Sequence, residues 1–248
     1  MDAPTPMLDR QPATRAEGAA PRADLYAPIH KALRFFLTDT LQRVGSLDTD
    51  DASEMQATLG QLDALLVLCR SHLEHENEFV HPAIEARQPH GSSRTALDHV
   101  EHVQAIDALG DENGVLREAP APRRDALAQR LYRHLALFVA ENLQHMHIEE
   151  TANNAALWAH YSDAELRALH ERLLASLSQA ETMQAMRWML PALNPTERAG
   201  VLGAMRAKLP PPALGGMLAA LRPHLSEGGW HKLARALGPA SAPATAGA

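Results

Sequence analysis

Residues 71–82 read "SHLEHENEFVHP". Three histidines and three glutamates crowd into these twelve positions, after the leucine-rich "QLDALLVLC" of residues 61–69 and before Pro82. On a helix, Leu62, Leu65, Cys69, His72, Glu76 and Phe79 follow one another at three- and four-residue steps. They therefore share one face, and His72 and Glu76 stand one turn apart on it. The face is apolar for two turns and then carries imidazole and carboxylate. Such a pattern is either the solvated end of a surface helix or a set of inward groups compensated by something between them. The spacing predicts a helix over residues 52–85, with Pro82 bending its last turns.

The same change of character recurs outward from this stretch. A first helix is predicted over residues 24–44, with Tyr26, His30, Leu33, Leu37, Leu41 and Val44 on one face. "GSLDTDD" (45–51) ends it and caps the next, and "ARQPHGSS" (86–93) reads as a loop. A third helix over 93–109 presents His99 and His102, three residues apart, followed by Ile106 and Leu109. "GDENGVLREAPAP" (110–122) reads as a break. A fourth helix over 123–160 presents Leu131, Leu135, Phe138, Asn142, His145, Glu149, Ala152 and Ala156. Four long amphipathic helices with modest connections predict an all-α fold, an antiparallel up-down four-helix bundle over residues 23–160.

The flanks differ. Residues 1–22 read as a flexible arm without an apolar signal core, and 239–248 as a disordered Ala/Pro/Gly/Ser tail. Residues 161–238 are punctuated by "LNPTE", "LPPPAL" and "RPHLSEGGW" and predict an extension of short helices. It opens on a capping box made by Ser162 and Glu165. The spacing hints at helix–turn–helix units, but no regular period is evident.

The 248 residues carry a net charge of −7 and a sequence pI of about 6.0, without a Lys/Arg cluster. This argues against nucleic acid or an anionic membrane as partner. No apolar run reaches membrane-spanning length. The single cysteine, Cys69, excludes an internal disulfide and suits a cytoplasmic protein.

Ten of the fourteen histidines lie between His30 and His147, and six of those between His72 and His102. Uncompensated carboxylates in a helical core would each cost several kcal/mol, on the order of a domain's whole stability. Bound cations reverse that sign, because carboxylates bridge them and neutral imidazoles coordinate them. Imidazole and carboxylate without thiolate suit iron or manganese, with zinc a competitor. A single histidine on such a face is more simply a core or surface residue. Two His-x-x-x-Glu pairs with inward histidines on both other helices make the metal reading the better one. The candidate ligands are His30, His72, Glu76, His99, His102, His145 and Glu149.

Taken in order, His30, "HLEHE" (72–76), "DHVEH" (98–102) and "HMHIEE" (145–150) resemble the hemerythrin-type HHE cation-binding domain over about residues 24–160. The resemblance implies a four-helix bundle around a non-haem di-iron centre with five histidines and two bridging carboxylates. By position the bridges would be Glu76 and Glu149. The third helix departs from the family's His-x-x-x-His: His102 is the expected ligand and His99 a further candidate. The fourth helix offers Glu149 on its inner face and Glu150 about 100° further round, where oxygen-carrying relatives have an aspartate. His75 lies beside the inner face as a possible additional group, His81 and His147 read as peripheral, and His134 lies three turns below His145.

The resemblance also implies two iron ions per chain, with manganese or zinc as alternatives, and dioxygen or nitric oxide as small ligand. Turnover of peroxide or nitric oxide, or a structural metal in an interaction module, stands as the alternative. The C-terminal helices are the candidate surface for a protein partner.

Overall fold

The computed structural model describes residues 22–238, and among them it contains helices and no strand. The expected N-terminal arm (but for Arg22) and the C-terminal tail lie outside the described residues. Helix α1 spans Ala27–Gly45, α2 Ala52–His75, α3 His81–Arg87, α4 Ser93–Arg117, α5 Ala121–Ile148 and α6 Asn154–His160. Asp24 caps the entry to α1 by accepting the N–H groups of Tyr26 and Ala27, and Asp51 caps α2 through Ser53 and Glu54. At the end of α1 the Tyr132 ring stands 2.8 Å from where a Cβ on Gly45 would sit, so any larger residue there must displace that ring.

A π-helical turn, Glu76–Val80, joins α2 to α3, and a second, Glu149–Asn153, joins α5 to α6. The N–H of His81 donates to the Glu76 carbonyl, and that of Asn154 to the Glu149 carbonyl, each five residues back. The extra residue in each turn moves the inner face. Val80, His81 and Ile84 are buried after the first turn, whereas Phe79 is half-exposed. After the second, Asn153, Asn154, Ala156 and Leu157 are buried and Ala152 faces solvent. The expectation that Ala152 continues the inner face is thereby corrected. Pro82 stands directly after a π-turn, where the i→i−4 ladder is already interrupted and its missing N–H is easily tolerated.

The break expected over residues 110–122 is shorter than its composition suggests, because α4 runs on to Arg117. Gly110 and Gly114 cost the helix about 1 kcal/mol each in propensity. Burial of Leu109 and Leu116 offsets this, as does Asn113, whose amide donates to the Leu59 carbonyl of α2.

The four arms α1, α2–α3, α4 and α5–α6 pack in sequence and close on themselves: α1 lies against α2 and α5, α2 against α4, and α4 against α5. Two apolar clusters fill the interior. The larger includes Leu33, Phe36, Leu62, Leu65, Cys69, Ile106, Leu109, Leu131, Leu135 and Phe138. The smaller comprises Tyr26, Val80, Ile84, Ala156, Leu157 and Leu166, beyond the π-turns. Leu166 comes from α7 (Asp163–Ser176), which covers that end.

Helices α8 (Gln179–Ala192), α9 (Pro195–Lys208), α10 (Pro211–Leu221) and α11 (Glu227–Leu237) follow. The N-cap residues of α7 to α11 are Ser162, Ser178, Asn194, Pro210 and Ser226, sixteen residues apart each time. A regular period is therefore present where none was expected. Met186, Leu202 and Leu218 occupy the same place in three successive units and share one core. The unit is one helix and a short turn, and Leu177, Leu193, Leu209 and Leu225 repeat at the same spacing where successive units end. Buried Arg198 ties the units together by donating to the carbonyls of Leu190 and Leu193. None of the described helices is long and apolar enough to cross a membrane.

The displaced register makes a direct prediction. Leu157→Ala should cost about 2–5 kcal/mol, as for a buried leucine. Ala152→Glu should stay within about 0.5 kcal/mol, as for a surface position. Thermal or urea unfolding reads both, and severe loss in Ala152→Glu would restore an uninterrupted α-helix.

Candidate metal centre

Between the two apolar clusters lies a layer of imidazoles and carboxylates, one or two from each arm. Helix α1 supplies His30, α2 His72 with Glu76 at the mouth of its π-turn, α4 His99, and α5 His145 with Glu149 at the mouth of the second. Glu149 and His30 are fully buried, and Glu76, His99 and His145 are at most 3% exposed. The donor atoms form two close groups, His30–His72–Glu76–Glu149 and Glu76–His99–His145–Glu149, each able to hold a metal ion.

Both glutamates belong to both groups. Glu76 Oε1 lies 3.3 Å from His72 Nε2 and 3.7 Å from His30 Nε2, while its Oε2 lies 3.4 Å from His99 Nε2. Glu149 Oε2 lies 3.4 Å from His30 Nε2 and 3.2 Å from His145 Nε2, and its Oε1 is 3.7 Å from His99 Nε2. Two donors each about 2.1 Å from one ion at right angles stand about 3 Å apart. The observed separations match that spacing with modest relaxation.

The outer nitrogens are held separately. His30 Nδ1 pairs with Glu150 Oε1 at 3.1 Å, and Glu150 in turn accepts from Arg34 at 2.6 and 2.9 Å. His99 Nδ1 donates to Asn77 Oδ1 at 2.8 Å, and His145 Nδ1 pairs with Asp98 Oδ2 at 3.2 Å. Such partners place the proton on Nδ1 and turn the Nε2 lone pair toward the centre, as for metal-bound histidines. His99 Nε2 and His145 Nε2 face each other at 3.0 Å. Two lone pairs cannot meet head-on, so a proton or a cation must stand there.

The fit to a cation rests on unsatisfied atoms. Glu76 Oε1 and Oε2, Glu149 Oε1 and Oε2, His30 Nε2 and His72 Nε2 are all buried without a hydrogen-bond partner. Leaving so many polar atoms unpaired is costly, and their convergence on one volume is what a cation requires.

The charge states agree. Burial pulls the His30 imidazolium down, but the carboxylates of Glu149, Glu150 and Glu76 outweigh it and raise its pKa to about 10. Burial likewise opposes protonation of His99, and Glu149 and Glu76 overcome it, raising His99 to about 9. His72, with burial dominant, falls to about 4. Burial, and then the neighbouring imidazoles of His145 and His99, bring His102 to about 4 as well. Burial and the mutual repulsion of Glu76 and Glu149 push Glu76 up, yet the imidazoles of His72, His30 and His99 leave it below the usual carboxylate range. Burial opposes ionisation of Glu149 too, and contacts with His145, His30 and His99 hold it well below that range. Without a cation, protons on His30 and His99 thus supply the positive charge.

The structure brings His30, His72, Glu76, His99, His145 and Glu149 into these groups, and leaves His102 outside them. His102 is buried beside the second group, its ring centroid 4.9 Å from that of His145 and its Nδ1 unpaired. Of the two α4 histidines, it is His99 whose ring nitrogen falls within a close group. Glu150 orients His30 instead of joining a group, and half-buried His75 lies near Ser71. His147 faces solvent, and His134 pairs with Glu112 at 3.5 Å.

His81, expected at the periphery, is buried and stacks on His99 with ring centroids 4.7 Å apart. It heads a hydrogen-bonded series through Thr95 and Asn153 to the Tyr26 hydroxyl. The Tyr26 phenol is raised well above its ordinary pKa by burial and by Glu76 and Glu149. The signal for His81 is its five-residue step from Glu76, repeated by Glu149 and Asn154; five is the step of a π-turn and off-face for an α-helix.

Removing the partner of His145 tests the outer contacts. Asp98→Ala should leave the fold intact and weaken metal affinity about 10–100-fold, as read by competition with a chelator. Unchanged affinity would show that the Asp98 contact does not set His145 for metal binding.

Comparison with family models, with curated proteins and with solved structures finds no match for this chain.

Proposed function

We propose that the chain is a hemerythrin-like protein whose four arms form an up-down four-helix bundle around a non-haem di-iron centre. One ion would be held by His30 and His72 and the other by His99 and His145, with Glu76 and Glu149, which belong to both donor groups, serving both ions. His102, buried beside the second group with an unpaired nitrogen, is a reserve donor for that ion. The observation that carries this reading is the set of four carboxylate oxygens and two ring nitrogens buried without partners and directed at one volume. Two cations bridged by carboxylates satisfy all of them; one cation leaves part of the set unpaired. Donors limited to nitrogen and oxygen favour iron, with manganese and zinc as competitors.

Bound iron would supply an electron-rich centre at which dioxygen or nitric oxide binds reversibly. The chain's own contribution is to fix the donors and exclude water. The larger apolar cluster lies on one side of the centre and the smaller on the other, so bulk solvent has no direct path along the helix axes. Carriage or sensing of a small ligand follows from such a protected site.

A second reading, turnover of peroxide at the same pair, is favoured by the Tyr26–Asn153–Thr95–His81 series. It places hydroxyl, amide and imidazole groups beside the centre, where an apolar lining would suffice for carriage. Mixing reduced protein anaerobically with excess peroxide separates the two: many turnovers indicate an enzyme, and one stoichiometric event a carrier or sensor.

Anaerobic titration with Fe(II) should saturate at two ions per chain, one for each donor group. Air should then produce an oxygen-dependent charge-transfer band. Glu149→Leu removes a bridge and should abolish uptake of at least one ion. Folded wild-type protein that takes up no Fe(II), Mn(II) or Zn(II) would overturn the reading.

A further inference from the structure

Resting on the two-ion reading, we infer that the C-terminal helices α8 and α9 position one half of the centre, so that the two ions are held with separately controlled affinity. The imidazoles of the first group come from α1 (His30) and α2 (His72), and those of the second from α4 (His99) and α5 (His145). Helix α8 packs along α1 and also against α2. It thus covers the outer side of the two helices that carry the first group.

The contacts fall next to the ligands themselves. Lys31, the neighbour of His30, donates to both carboxylate oxygens of Glu197 at 2.6 and 2.8 Å. Ser71, the neighbour of His72, donates to Glu181 Oε1 at 3.1 Å. Glu181 and Glu197 are also the acids of the capping boxes that open α8 and α9, each accepting the backbone N–H of its own N-cap residue. Each acid therefore joins the start of a C-terminal helix to the residue beside a metal donor. The spacing of sixteen residues between Ser178 and Asn194 sets both acids in place.

Two further contacts anchor the junction. Trp188 of α8 stacks on Phe36 of α1 with centroids 3.7 Å apart and planes 11° from parallel, and it is part of the larger core cluster. Gln184 donates to the Ala64 carbonyl of α2 at 2.9 Å. Docking of α8 is therefore continuous with the packing that sets the distance between α1 and α2. A change in that distance moves His30 relative to His72 and Glu76, which share one arm, and leaves the His99 and His145 imidazoles on the opposite arms. Linkage makes the effect reciprocal: an ion in the first group tightens the docking of α8 and α9.

The test uses the full chain and anaerobic Fe(II). Lys31→Met with Ser71→Ala removes both links without touching a donor or a capping box, and Trp188→Ala removes the anchor. Either change should weaken one of two Fe(II) ions about 10-fold, within the usual span of coupling between sites, and leave the other within about 2-fold. In a His99→Ala background, which keeps the first group, the remaining ion should show the weakening; in a His72→Ala background it should not. Hydrogen exchange in residues 179–192 should slow when Fe(II) is added to the wild-type chain. Two ions still bound but weakened equally, or unaffected, by Lys31→Met/Ser71→Ala in folded protein would overturn the inference while leaving the two-ion reading in place. A wild-type chain that takes up no Fe(II) would remove both.

Discussion

Glu76 and Glu149 are two carboxylates held in the interior within reach of the same imidazoles, and the rest of the core is arranged around their charge. Each would cost several kcal/mol if left unpaired. Imidazoles from all four arms surround them, and in the absence of a cation the protons on His30 and His99 offset the negative charge. Such compensation is incomplete, because carboxylate oxygens and ring nitrogens still lack hydrogen-bond partners. Protons therefore match the charge of this interior only partly, and the same buried groups could hold a metal ion.

Geometry follows from that demand. Each carboxylate stands where an α-helix gives way to a π-turn. The same device on two arms gives the acids equivalent positions facing each other. Beyond it, the inner face is rotated, so His81, Asn153 and Asn154 are directed inward where α-helical spacing would have placed other residues. A second ring of contacts from Asn77, Asp98 and Glu150 orients the imidazoles. Outside these, apolar residues close both ends of the polar layer.

The C-terminal helices belong to this arrangement physically. Trp188 joins the same apolar cluster as Phe36 and Leu65, so α8 serves as an outer wall to the α1–α2 side. The regular caps make its orientation reproducible: Glu181 and Glu197 fix their own helix starts and reach the four-arm core with their remaining acceptor capacity. Buried Arg198, which donates to carbonyls and has no acidic partner within ion-pair distance among the described residues, closes the end of α8 against the next unit.

The sequence by itself determined the helical class, most helix starts and the two His-x-x-x-Glu pairs, because three- and four-residue spacing and capping side chains are local properties of the chain. Leu62, Leu65, Cys69, His72 and Glu76 fell on one face in the sequence and do so in the structure. The tertiary structure alone decided what happens after the acids. A π-turn adds one residue to a helical turn without a distinctive composition, so the inward placement of His81 and the outward placement of Ala152 were not legible from α-helical period. The run of α4 through Gly110 and Gly114 was concealed similarly, since packing of Leu109, Asn113 and Leu116 outweighs local propensity. Whether His99 or His102 joins the donors depends on where α4 lies against α2 and α5. Spacing of three residues puts both on one face, and only the approach of the neighbouring helices selects between them.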